Sequence, residues 1–138
     1  MTGNVNRDRI VAAKRIVIKI GSILLVDGDS GRLHRDWLAA LTTGIAAWRA
    51  RGQEVILVSS GAVALGRRYL DLKQGELRLE EKQAAAAAGM VRLSHAYQET
   101  LEQHQLNVAQ ILLTLDDSEN RRRYLNARST ISTLLEVG

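Results

Sequence analysis

Arg15-Ile16-Val17-Ile18-Lys19-Ile20-Gly21-Ser22 and, further along, Val55-Ile56-Leu57-Val58-Ser59-Ser60-Gly61-Ala62 decide the fold of this chain. Each is a short run of β-branched and aliphatic residues ending in small ones, the pattern of a buried strand. Between them Trp37, Leu38, Leu41, Ile45 and Trp48 recur at helical spacing over about 35–51, and Gly52 closes that helix. Strand 15–20, helix and strand 54–59 with short links make a βαβ unit. The two strands are therefore expected to be parallel, with a right-handed crossover. Open parallel sheets bind ligands beyond the carboxyl ends of their strands, where both small-residue segments fall.

Outward from this unit the pattern stays mixed. Val26 to Leu33 is turn chemistry, rich in Asp and Gly. A short helix is expected at roughly 61–68, then a polar loop at 71–79. Glu80 to Ala88 has strong helix propensity; Gly89 either breaks that helix or lets another segment pack close. A further helix is expected at about 91–104, with Leu93, Tyr97 and Leu101 on one face. Val108 to Leu113 reads as a third strand, and Tyr124, Leu125, Ile131, Leu134 and Leu135 mark a last helix.

Composition bounds the function. The 138 residues suit one domain, and 46% apolar with 25% charged is ordinary for a globular chain. The absence of cysteine excludes disulfides and thiolate metal sites and fits a cytoplasmic setting. The polar start, Met1 to Arg9, carries no apolar core of a secretory signal, and no apolar run is long enough to span a membrane. A formal charge of +4 fits an anionic substrate as well as it fits nucleic acid. Arg121-Arg122-Arg123 and Arg128 lack the interleaved aromatics that stack bases, so no nucleic-acid partner is expected. His34, His95 and His104 have no metal-ligand spacing, and Asp116-Asp117 before a helix suits the helix dipole, so no metal site is expected among these residues. The usual phosphate-loop and serine-hydrolase patterns are absent.

Two segments carry candidate chemistry. Lys19 on an apolar strand is costly unless its ammonium reaches water or an anion. An ATP phosphate would supply the anion, with the N–H groups after Gly21 cradling its oxygens; a lysine that merely extends into solvent is the other reading. Ser60-Gly61-Ala62 opens a helix directly after a strand. Its unpaired N–H groups could hold a carboxylate or phosphate, or Ser60 could simply cap the helix.

Taken together, these blocks resemble the amino-acid kinase family. The resemblance is carried by Val17-Ile18-Lys19-Ile20-Gly21-Ser22, by Val58 to Gly66, by Lys82-Gln83-Ala84-Ala85-Ala86-Ala87-Ala88-Gly89, by Ala109-Gln110-Ile111-Leu112-Leu113-Thr114 and by Tyr124-Leu125-Asn126-Ala127-Arg128, in the family's order. The last two blocks are similar to the branch that acts on free glutamate. The resemblance implies an α/β fold, an open and mainly parallel sheet in a three-layer α/β/α arrangement. It implies phosphorylation of the L-glutamate γ-carboxylate by ATP with Mg2+, the step that opens proline biosynthesis. Lys19 matches the family's catalytic lysine. Lys19, Gly21 and Ser22 match its ATP-phosphate contacts, and Ser60, Gly61 and Ala62 its substrate loop. A homo-oligomer is a further implication, and N-acetylglutamate is the substrate of a neighbouring branch. Ile23, Met90 and Ser129 stand where the family often has a small hydroxyl residue, a glutamine and an aspartate. The family's Asn–Glu–Asn–Asp and Gly–Asp–Asn–Asp segments, and its nucleotide-binding half with a second lysine, find no match in residues 1–138. The expectation is that these residues form a truncated domain, its glutamate-binding side, and do not complete the reaction alone. A non-catalytic remnant that binds an anion or a partner chain is the alternative.

Overall fold

A computed structural model describes residues 2–73 and 75–138. Helix α1 spans Thr2–Ala12, strand β1 Arg15–Ile20, helix α2 Ser22–Leu25 and helix α3 Arg35–Ala50. Strand β2 spans Glu54–Ser59, α4 Ala62–Tyr69, α5 Leu79–Glu102, α6 Leu115–Glu119 and α7 Arg121–Val137. The strands pair in parallel, Lys19 opposite Val58 and Ile20 opposite Ser59. Their shared direction follows from the α3 crossover, as the βαβ pattern requires.

Turn chemistry fixes the ends of the crossover. The Gly52 N–H donates to the Arg49 carbonyl at 2.9 Å and the Gln53 N–H to the Trp48 carbonyl at 3.2 Å. This helix ending needs a left-handed residue, and Gly52 supplies it at φ +78°. Between α2 and α3, Val26 and Leu33 pair as an isolated antiparallel bridge. The Asp27 carboxylate accepts from the Ser30 N–H at 2.6 Å inside that turn.

One face of the sheet carries the core. Ile18 and Leu57 pack on a buried cluster of Ile20, Leu25, Val26, Leu38, Leu65, Leu93 and Tyr97. The other face is open, with Val17 61% and Val58 50% exposed. The expectation of buried strands is therefore corrected to strands covered on one face. In β1 the alternation of Arg15, Val17 and Lys19 with Ile16, Ile18 and Ile20 marks the open face; Val55 to Val58 of β2 are uniformly aliphatic and carry no such period.

Two further expectations change. Gly89 does not break the helix: α5 runs unbroken through it. A Cβ on Gly89 would overlap the Ala62 carbonyl, and one on Gly66 would overlap the Ala85 carbonyl. The two glycines thus let α4 and α5 cross backbone to backbone, the close-packing reading of Gly89. The segment Val108 to Leu113 is not a strand; among the described residues the sheet contains β1 and β2 alone. Its apolar composition has β propensity, but a strand needs a neighbouring edge, and here Val108, Leu112 and Leu113 are exposed.

Candidate functional site

The two small-residue segments meet at the carboxyl ends of β1 and β2. After Ile20 the backbone stays extended at Gly21, with φ −75° and ψ 151°, and Ser22 begins α2. After Ser59 the chain turns through Ser60 and Gly61 into α4. Gly61 has φ +110° and is the residue before the helix, a conformation that favours glycine. A Cβ there would lie 3.4 Å from Val26 and 3.7 Å from the Ser22 Cα, so the two loops are in near contact.

Ser60 fastens one loop to the other. Its N–H and its hydroxyl both donate to the Ile20 carbonyl, each at 3.1 Å. The hydroxyl is thus spent on neither a cap for α4 nor solvent alone; no side-chain cap serves that helix. The N–H groups of Ala62, Val63 and Ala64 make up its first turn, where no intrahelical acceptor exists, and the Leu65 N–H is the first to bond back, to Gly61, at 3.1 Å. Those N–H groups and the helix dipole give the loop a partial positive charge.

Lys19 sits one residue before the end of β1, on the open face of the sheet. Its side chain is exposed and, among the described residues, makes neither a salt bridge nor a hydrogen bond. Gly21 is half-buried and Ser22 exposed, Gly61 is buried and Ala62 half-buried. Lys19, Gly21, Ser22, Ser60, Gly61 and Ala62 therefore line one edge of the sheet.

Two supporting features go beyond the sequence expectations, which had Gly89 admitting a close neighbour without saying which. The Ser59 hydroxyl lies 2.9 Å from the Tyr97 hydroxyl, tying β2 to α5 beside Ser60. Burial pushes the Tyr97 phenol above its usual pKa, against the opposing pull of that hydrogen bond. The other feature is the α4–α5 crossing, which holds the Gly61–Ala62 turn in place from behind. Its signal was present in the sequence as small residues four apart, Ala62 with Gly66 and Ala85 with Gly89.

Residues 14–138 match the model of the amino acid kinase family. The chain is 65% identical to glutamate 5-kinase of Paramagnetospirillum magneticum over 129 residues, which is 94% of this chain and 35% of that protein. It is 62% identical to glutamate 5-kinase of Rhodospirillum rubrum over 122 residues, 88% of this chain and 32% of that protein. It is 54% identical to glutamate 5-kinase of Agrobacterium fabrum over 135 residues, 98% of this chain and 34% of that protein. The chain spans about a third of the length of the curated relatives it matches. Among the described residues no helix is long and apolar enough to cross a membrane.

Proposed function

The chain belongs to the amino acid kinase family, and from that premise we propose that it is the glutamate-binding part of an enzyme that phosphorylates the γ-carboxylate of L-glutamate. The observation that carries the proposal is the double hydrogen bond from Ser60 to the Ile20 carbonyl. It draws the Ser60-Gly61-Ala62 turn against Gly21-Ser22, with Lys19 at the same edge. High identity to glutamate 5-kinases supports the choice of substrate.

In this reading Lys19, Gly21 and Ser22 hold the ATP phosphates, and the turn at Ser60, Gly61 and Ala62 holds glutamate. A γ-carboxylate oxygen attacks the terminal phosphorus, the bond to the bridging oxygen of ADP breaks, and γ-glutamyl phosphate forms. A carboxylate is already ionised near neutrality, so no general base is needed. What the protein supplies is position and positive charge, which is most of what phosphoryl transfer asks. Lys19 meets the charge that builds on the transferred group, and the α4 N–H groups fix the glutamate end. Among the described residues no group of three or more His, Cys, Asp and Glu gathers. Mg2+ would come with ATP, held by its phosphates, as kinase chemistry asks. The product would feed proline biosynthesis in the cytoplasm, and the enzyme would work as a homo-oligomer.

Residues 1–138 joined to the remainder of the Paramagnetospirillum magneticum enzyme test this. With ATP, Mg2+, glutamate and hydroxylamine, the joined protein should form γ-glutamyl hydroxamate. The 138-residue chain by itself should form none. Preferential turnover of N-acetylglutamate by the joined protein would sink the substrate assignment in favour of the neighbouring branch.

A further inference from the structure

A second concave surface lies away from the strand ends, at the other end of α4. It is a cleft of about 580 Å³ between the 26–33 turn, the carboxyl end of α4 and the middle of α5. Four guanidinium groups line it, those of Arg32, Arg35, Arg68 and Arg92, against one carboxylate, that of Glu99. None of Lys19, Gly21, Ser22, Ser60, Gly61 or Ala62 borders it. The eight-residue helix α4 puts roughly 12 Å between this cleft and the candidate active site.

The arginines are held rather than loose. The Arg92 guanidinium stacks over the Tyr69 ring, 4.1 Å from its centre. Arg68 donates to the Ser30 carbonyl, and its side-chain stem lies against Gly31 of the turn. Arg35 is paired with Glu99 at 3.3 Å. Arg32 leaves a turn that the Asp27–Ser30 bond and the Val26–Leu33 bridge make rigid. Four like charges around one cleft repel one another, and the Glu99 carboxylate offsets only one of them. The floor is partly apolar, with Leu65 and Ala96 buried beneath it, which strengthens any charge attraction above it. Planar guanidinium forks around a small cleft match the oxygens of a phosphate group, which they can bind two at a time.

We infer that this cleft is a second anion site, which binds a phosphate-bearing small molecule through Arg32, Arg68 and Arg92 and draws Arg35 from Glu99. The inference stands on the cleft alone and does not depend on the proposed kinase reaction. Titration of the protein with inorganic pyrophosphate at constant ionic strength, read by NMR on the arginine Nε–H signals, tests it. Saturable shifts are expected at these four arginines, with acetate at equal ionic strength failing to compete. Arg68→Gln and Arg92→Gln should each weaken binding about tenfold. Glu99→Gln should tighten it, because the competing carboxylate is gone. All three side chains are exposed, and a thermal melt of each variant checks that the fold is retained. ADP as a second probe separates the sources: tighter binding than pyrophosphate marks a nucleotide, weaker binding a free polyphosphate, and either upholds the site. Shifts that do not saturate, or an affinity that Arg68→Gln and Arg92→Gln leave unchanged, would overturn it.

Discussion

The α4–α5 crossing and the 105–138 region are both mainly helical where regular, yet they are built on opposite terms. At the crossing, Gly66 and Gly89 let two helices touch through their backbones, and Leu65, Ala85, Leu93, Ala96 and Tyr97 are buried. In α6 and α7 no residue is buried. Those two helices are held instead by local polar contacts. The Thr114 N–H donates to the Asp117 carboxylate at 2.7 Å, and Asn120 caps α7 through the Arg122 and Arg123 N–H groups. Exposed caps and charge pairs stabilise far less than buried apolar side chains do. The candidate site stands on the first kind of structure. Its geometry rests on the packed crossing, and the 105–138 region contributes nothing to it that the structure shows.

The largest test of this contrast is Gly66→Ala. The new methyl meets a backbone carbonyl, which cannot rotate away, so a loss of about 3 kcal/mol is expected in chemical denaturation. A loss under about 0.5 kcal/mol would mean that the crossing is looser than it looks. A paired truncation sharpens the comparison. Leu93→Ala should cost about 3 kcal/mol. Leu125→Ala, 47% exposed on α7, should cost less than about 0.5 kcal/mol. Equal losses would show that the two regions share one core.

Smaller effects come from titration. The pKa of Tyr97 is raised above 10.0 in the folded chain. Its contribution to stability is complete below about pH 10 and is lost as pH rises further, because the unfolded phenol ionises first. Tyr97→Phe should cost about 1 kcal/mol at pH 7 through the lost Ser59 hydrogen bond. It should also flatten the alkaline loss, measured by thermal melts from pH 8 to 11. Smallest is the acid effect. The Ser30 side chain and N–H lower the Asp27 pKa, and the Thr114 N–H and hydroxyl lower that of Asp117. Their stabilisation is present above about pH 4 and fades as pH falls below it. Asp27→Asn should blunt that acid loss in a global melt, since its turn is tied to the packed core. Asp117→Asn should change only the helicity of 115–137. A global shift from Asp117→Asn would erase the distinction between the regions.

Much of the site was legible because it is local. Strand, small residues, helix is a pattern written within each segment, and the βαβ connection puts the two segments side by side. The exposed face was legible only in β1, where Arg15 and Lys19 flank Val17; in β2 Leu57 and Val58 are alike as residues and only packing separates them. Val108 to Leu113 misled for a related reason: propensity describes a residue, and a strand requires an edge to join. Gly89 could be read either way until Gly66 was found opposite it. The bond from Ser60 to Ile20 depends on a rotamer and a neighbour, and no spacing rule gives either.

The claim that Lys19 and Ser60 are two halves of one site is tested most directly by separating their kinetic effects. In residues 1–138 joined to the remainder of a glutamate 5-kinase relative, Lys19→Ala should lower kcat by about 100- to 1000-fold with little change in the glutamate KM. Ser60→Ala should raise the glutamate KM and leave kcat nearly intact. Wild-type turnover in the Lys19→Ala protein, or an unchanged glutamate KM in the Ser60→Ala protein, would contradict the account.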